Sequence, residues 1–188
     1  PARRLDALNA LCDLIAALAV VLPSSDRSLI CLHAAAVVVS GRLLVFPNVR
    51  KAGKSTLSVA LALRGHVLVG DDVVPLSFDA AGRAWAHAMG ISPRLRLPLP
   101  EAVGEDFRAT AMGRDGVGNR QYRYVRLPGQ PAHGEVYPDP TYVILDRQDD
   151  PVPARIDPVS ADQAMDALLF QNFTRDRHSG DVLRAIAV

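Results

Sequence analysis

The sequence predicts a mixed α/β domain, and three observations carry that prediction. The chain has 188 residues, 49% of them apolar and 22% charged, which is enough for one domain with its own hydrophobic core. Two β-rich runs, 35–39 and 43–46, are separated only by Ser40-Gly41-Arg42, which reads as a hairpin and makes the sheet partly antiparallel. Strand-type segments fill the middle of the chain while helix-type segments hold its two ends, unlike the strict alternation of a parallel α/β sheet.

Leu5, Leu8, Leu11, Cys12, Ile15 and Leu18 recur at helical spacing, so the first element is an amphipathic core helix. Arg3-Arg4 followed by the apolar run 14–22 has the outline of a signal peptide, but Asp6 and Asp13 interrupt it, and the run is too short to span a bilayer. The chain begins with Pro1 rather than Met, which is compatible with residues upstream. Past Pro23 and Ser24-Ser25, strands are predicted at 28–32, 35–39 and 43–46. The last runs into the stretch "FPNVRKAGKST", 46–56, and a helix over 55–63 that Arg64-Gly65 stops. A short buried strand at 66–69 then delivers Asp71-Asp72 at its carboxyl end.

Further strands are predicted at 73–78, 83–88, 95–97, 121–126 and 142–145. The stretch 101–120 has glycines and mixed charges without periodicity and reads as a long surface loop. Ser160 to Gln163 matches a capping box ahead of a helix over 164–170. With no repeat or linker, residues 1–188 read as one domain, 1–27 being the amino-terminal helix and its connection and 28–188 the site-bearing body.

A net charge of +1 gives no bulk attraction to nucleic acid or to an anionic membrane, so neither is an expected partner. Arginines cluster between 94 and 126, which makes any positive field local. Cys12 and Cys31 have neither disulfide-framework nor metal-site spacing, and the default setting is reducing and cytoplasmic. His87, His133 and His178 lack ligand partners at useful spacing, so no zinc site is assigned.

The 46–56 stretch carries the chemistry. A polyphosphate is held by backbone N–H groups wrapped around it at the start of a helix, and Gly53 lets the backbone approach closely. Lys54 can reach the β- and γ-phosphates and Ser55 can hold Mg²⁺ through its hydroxyl, while Asn48, Val49, Arg50, Lys51, Ala52 and Thr56 complete the loop. The full pattern places Gly at position 48; Asn48 tolerates positive φ and keeps the turn sterically feasible. Arg50 and Lys51 either add cationic contacts or point into water. Strand before, helix after and a strand ending in paired carboxylates is the context a nucleotide site needs. Asp71 and Asp72 can divide two tasks of phosphoryl transfer, holding Mg²⁺ and accepting the proton of an attacking hydroxyl. The competing reading of the pair is a solvated turn.

The run from Leu32 to Leu76, "LHAAAVVVSGRLLVFPNVRKAGKSTLSVALALRGHVLVGDDVVPL", resembles the catalytic domain of HPr kinase/phosphorylase and its HPr-kinase-like relatives. A His opening a strand, a hairpin, the loop, a helix ending in "RGH" and a strand running into "DD" carry the resemblance. It is fainter over "TYVILDR" and "VSADQAMDALLFQNF". The fold it implies is an α/β, mixed-sheet P-loop fold of the phosphoenolpyruvate-carboxykinase-like type with flanking helices. Lys54 then matches the phosphate lysine, Ser55 the Mg²⁺ hydroxyl and Asp71 the metal-associated carboxylate. Asp72 matches the general base, and His33 matches an active-site histidine whose role the residues alone do not supply.

Asn48 departs from the family's first loop glycine, its glycine- and glutamate-bearing phosphorylase signature is not recognisable, and no regulatory domain is recognisable within these residues. Phosphorolysis is therefore not implied. The expected activity is an ATP- and Mg²⁺-dependent kinase acting on the serine of a protein, peptide or small molecule. A non-catalytic nucleotide- or partner-binding module and a P-loop ATP hydrolase using Asp72 to orient water are the alternatives, and a homo-oligomer is left open.

Three features outside the motif complete the reading. Gly113 to Gly118 follows no strand and opens no helix, so it is not a dinucleotide fingerprint. The 104–120 segment, with Arg108, Arg114 and Arg120, is expected to be a poorly ordered lid near the loop, a plain flexible loop being the alternative. Arg94 and Arg96 share one face of a strand, where they meet a phosphate, a substrate carboxylate or surface aspartates.

Overall fold

Ala35–Val39 is the strand that organises the molecule, because its two faces feed two separate cores. Ala36 and Val38 pack into one; Ala35, Val37 and Val39 pack into the other. That is the period-2 alternation of a strand buried on both sides. The structure, a computed structural model, describes residues 7–26, 28–148, 153–174, 180, 182 and 183. Arg3, Arg4, Leu5 and Asp6 of the predicted first helix, and His178, lie outside the described residues.

Among the described residues the elements run α1 (Ala7–Ser25), β1 (Leu29–Leu32), β2 (Ala35–Val39), β3 (Arg42–Phe46), α2 (Lys54–Leu63), β4 (Val67–Gly70), β5 (Val74–Phe78), β6 (Ala84–His87) and β7 (Arg94–Arg96). There follow α3 (Glu105–Gly113), β8 (Gly116–Gly118), β9 (Tyr122–Val125), β10 (Val136–Pro138), β11 (Thr141–Tyr142) and α4 (Ala161–Phe170). The central sheet has the order β11-β3-β2-β4. Strand β2 is antiparallel to both β3 and β4, and β11 is parallel to β3. One face of this sheet packs against the antiparallel sheet β1-β5-β6-β10 and Leu168 of α4. The other face packs against α2, α3 and the small sheet β7-β9-β8. Each fully buried Val or Phe in these layers, such as Val37, Val45 and Phe46, contributes roughly 1.5–3 kcal/mol.

The mixed sheet expected from the hairpin is present. The connection is a two-residue loop, Ser40-Gly41, with φ of 50° and 79°, and Val39 pairs with Arg42. Positive φ at both central positions is the hairpin turn whose twist matches its strands. Helix α1 buries Leu8, Ile15 and Ala19, with Leu11 and Cys12 packed beside them, as the spacing predicts. It runs on past the Pro23-Ser24-Ser25 punctuation to Ser25, whose hydroxyl donates back to Val21 O at 3.1 Å.

The 101–120 stretch departs from expectation. It holds α3, packed into the core through Phe107, Ala111 and Met112, and the exposed strand β8, and is not one long loop. The glycines read as loop punctuation are boundaries: Gly104 is the N-cap of α3, with Glu105 and Asp106 in its first turn complementing the helix dipole. Val103, Phe107 and Ala111 recur every four residues, a periodic signal too short to stand out among polar neighbours. Strand β10 was not expected, and β11 is shorter than the predicted 142–145, although the amide of Val143 still donates to Val45 O at 2.8 Å.

Candidate functional site

The sheet order concentrates the candidate residues on one edge. Because β3 and β4 both run against β2, they are parallel to each other, and both of their carboxyl ends abut the start of β2. Ala35 pairs with Phe46, and Ala36 with Gly70. The 47–53 loop after β3, Asp71-Asp72 after β4 and His33 just before β2 therefore meet.

The loop leads into α2 through Gly53, whose φ of 98° is left-handed and suits glycine. The first intrahelical bond is from Leu57 N to Gly53 O at 2.9 Å, so the amides of Lys54, Ser55 and Thr56 find no acceptor in their own helix. Lys54 is only 6% exposed, and its ammonium donates to the carbonyls of Asn48 and, at 3.1 Å, Val49. Burial lowers its pKa, against the raising influence of Asp71 and Asp72. Thr56 and Ala52 are half-buried, while Val49, Arg50 and Lys51 are exposed, so the two extra cations of the loop point into water.

Asn48 does not act as the sequence suggests. The left-handed residue on this side of Gly53 is Lys51, at φ 71°, and Asn48 is not in that region. Its side chain is instead buried and bonded both ways to one backbone unit: Nδ2 donates to Leu145 O at 2.9 Å, and Oδ1 accepts from Leu145 N at 2.8 Å. The amide of Asn48 thus imitates a strand neighbour and ties the loop to the chain after β11, a contact unavailable to glycine.

The two aspartates occupy different environments. Asp71, 6% exposed, accepts Ser55 Oγ–H at 2.9 Å on Oδ1 and the Arg94 amide at 3.0 Å on Oδ2. Burial and the neighbouring Asp72 charge push its pKa up to about 6. Asp72 takes a left-handed φ of 68°, ion-pairs with the Arg94 guanidinium through Oδ2 and faces His33 Nε2 at 3.6 Å through Oδ1. Burial disfavours its charge, but the close approach of His33 and the charges of Arg94 and Lys54 outweigh that and lower its pKa. The two environments thus push the carboxylates' pKa values in opposite directions.

Several partners escaped the sequence reading. Arg94 was expected on a phosphate, a substrate carboxylate or surface aspartates; it is held by the protein's own Asp72, donates to Cys12 Sγ at 3.0 Å and lies 4.8 Å from the Tyr122 ring centre. Arg96 covers the same ring at 5.3 Å, so the shared face is as expected. Gln171, at the end of α4, reaches His33 Nδ1 at 3.0 Å, and Phe173 packs on the imidazole with ring centres 5.7 Å apart. No local pattern announces these contacts, because they span dozens of residues. A cavity of about 360 Å³ lined by Ser92, Asp115, Gly116, Val117, Tyr124 and Arg126 includes neither Asp71 nor Asp72, nor His33, nor the 47–53 loop.

Chemically, the edge offers helix-start amides without an acceptor in their own helix, a buried ammonium, a hydroxyl–carboxylate pair and a second carboxylate whose pKa is lowered. The amides and Lys54 suit phosphate oxygens. Ser55 and Asp71 are hard oxygen donors of the sort Mg²⁺ takes alongside phosphates and water. Among the described residues no three His, Cys, Asp or Glu side chains cluster to form a closed metal cage, and no helix is long and apolar enough to cross a membrane.

No protein-family model matches the chain, and no curated protein does. Among solved structures, part of the chain is similar to the Hpr(Ser) kinase/phosphatase from Coxiella burnetii, at 32% identity and a TM-score of 0.30. The match covers 32% of this chain and 43% of that one.

Proposed function

We propose that this chain is an ATP- and Mg²⁺-dependent phosphotransferase of the HPr-kinase-like type, with a P-loop at 47–55, that moves a γ-phosphoryl group to a serine hydroxyl. The observation that carries the reading is the Ser55–Asp71 pair at the head of α2, beside a buried Lys54 and a second carboxylate, Asp72. The amides of Lys54, Ser55 and Thr56 bind the phosphates, and Lys54 exchanges its loop carbonyls for their oxygens. Ser55 and Asp71 would hold Mg²⁺, which when bound neutralises charge on the phosphates. Asp72, kept ionised by His33 and Arg94, orients the acceptor hydroxyl and takes its proton. A carboxylate with a lowered pKa is a weak base, so its main contribution is orientation, as expected where the transition state is loose and proton transfer late. The choice of serine rests on the sequence resemblance.

One observation keeps the hydrolase reading alongside. With 101–120 built into α3 and β8, no loose glycine-rich segment there covers the loop against water. The degenerate-module reading is weaker, because Asn48 is accommodated by its own bonds to Leu145.

The test is incubation with γ-labelled ATP and Mg²⁺ in the presence of free serine, serine peptides or candidate proteins, following both phosphate release and phosphoserine. Label on an acceptor, lost in Asp72→Asn, supports the kinase. Release of phosphate alone with every acceptor favours the hydrolase, and tight binding with neither product favours the non-catalytic module.

A further inference from the structure

The 360 Å³ cavity on the small sheet β7-β9-β8 has no part in the phosphate edge, yet its lining holds a cation, Arg126, an anion, Asp115, a hydroxyl, Ser92, and an apolar side chain, Val117, beside Tyr124. The register of the sheet explains why they meet. Arg94 pairs with Tyr124 and Tyr124 with Val117, so these share one face, while the alternate residues Leu95 and Val125 face the core on the other. Arg126 N donates to Asp115 O at 2.8 Å, which sets these two residues opposite each other just past the paired strands.

Opposite charges in that position ordinarily pair across the strands. Here each lines the cavity instead. Among the described residues neither side chain has an ion-pair partner, and the Ser92 hydroxyl has no hydrogen-bond partner. Asp115, Gly116, Val117 and Arg126 are exposed, so the cavity opens to solvent, and Tyr124 is its buried wall.

The charges select the ligand. A simple anion drawn to Arg126 would meet the Asp115 carboxylate, and a simple cation drawn to Asp115 would meet the guanidinium. A molecule with both signs close together satisfies both. An α-amino acid offers a carboxylate to the planar fork of Arg126 and an ammonium to Asp115 and to the oxygen of Ser92, and its side chain can lie against Val117, which is 60% exposed. The volume is at the low end of small-molecule pockets, roughly 300–1,000 Å³, as a compact ligand requires.

We propose that this cavity is a binding site for a free α-amino acid, with its carboxylate on Arg126 and its ammonium on Asp115. Tyr124 lines the cavity and reaches Cys12 Sγ at 3.5 Å, and Cys12 accepts from the Arg94 guanidinium that pairs with Asp72, so Tyr124 is the contact between this site and the phosphate edge. The assignment does not depend on phosphoryl transfer.

The experiment is a ¹H–¹⁵N NMR titration of the full chain, without nucleotide, with each of the standard L-amino acids. At least one is expected to give saturable shifts at the amides of Gly116 and Val117; no saturable shift there with any of them overturns the proposal. Arg126→Gln and Asp115→Asn, both at exposed positions, are each expected to weaken the best binder about 10- to 100-fold, the scale of one charge-assisted hydrogen bond. The N-acetyl and amide derivatives of that amino acid, each lacking one charge, should weaken likewise. Binding that survives both variants overturns the site, and an N-acetyl derivative that binds as well as its parent overturns the zwitterion assignment. Shifts confined to His33 and the 47–55 loop would place the amino acid at the phosphate edge, overturning this site while supporting the function proposed above.

Discussion

Asp71→Asn separates what this carboxylate does for function from what it does to stability. At its site one oxygen accepts the Ser55 hydroxyl and the other the Arg94 amide. Asn can satisfy both, with its oxygen on the Arg94 amide and its NH₂ donating to Ser55 Oγ, whose hydroxyl rotates. What the substitution removes is a buried charge beside Asp72. A pKa of about 6 against the ordinary 3.8 corresponds to about 3 kcal/mol, at 1.36 kcal/mol per pH unit. The sign follows from proton counting. Between pH 3.8 and about 6 the folded state binds more protons than the unfolded one, so stability falls as pH rises through that window. The penalty is fully present above about pH 6 and absent below about pH 4. Replacing two charge-assisted bonds by neutral ones offsets part of the gain, so Asp71→Asn is expected to be about 1–3 kcal/mol more stable than the parent at pH 8 without metal. The advantage should shrink toward zero at pH 4. Thermal unfolding in chelator at both pH values reads this out at roughly 2–4 °C per kcal/mol. A variant less stable than the parent at pH 8, or a difference independent of pH, would refute the reasoning. The same variant should lose Mg²⁺-dependent nucleotide affinity, the trade between stability and activity expected of a strained site.

Asp72→Asn removes the charge that orients the acceptor hydroxyl and takes its proton, so MgATP affinity should stay nearly intact while turnover falls on the order of 10²-fold or more, measured by transfer of γ-label; full activity would end its part in the transfer step. Arg94→Gln removes the cation paired with Asp72, so the carboxylate should bind its proton more readily and the acid limb of the pH–rate profile should move to higher pH. Asn48→Gly restores the common loop residue but strips both bonds from Leu145; it should cost about 2–4 kcal/mol in denaturant unfolding and bring no gain in nucleotide affinity.

What the sequence disclosed and what it hid divide along contact range. The hairpin, α2, its Gly65 stop and the capping box of α4 were legible because each is decided within a few residues; Ser160 and Gln163 bond reciprocally as the pattern predicts. Loop, lysine, hydroxyl and aspartates were legible for the same reason, each standing next to the strand or helix end that presents it. Their convergence is only half legible: the hairpin sets β2 against β3, whereas the pairing of β2 with β4 that brings the aspartates beside the loop is a long-range choice. Arg94, Gln171 and Leu145 were not legible as partners, because they come to the site from other sheets and helices and no local pattern specifies where those dock. Asn48 was misread for a related reason: its tolerance of positive φ is a local property, whereas its use here is a bond across 97 residues of chain. Helix α3 was missed because only three apolar positions face the core and its bounding glycines imitate a loop.

The claim on which the rest depends is that the 47–55 loop binds the phosphates of a nucleotide through the helix-start amides and Lys54. Calorimetric titration of the unmodified chain and of Lys54→Ala with ATP, in Mg²⁺ and in chelator, tests it most directly. The account predicts saturable binding that Mg²⁺ strengthens and that Lys54→Ala weakens markedly, with Lys54→Ala still folded by circular dichroism. Equal affinity in the two proteins, or no binding by the folded parent, would contradict it.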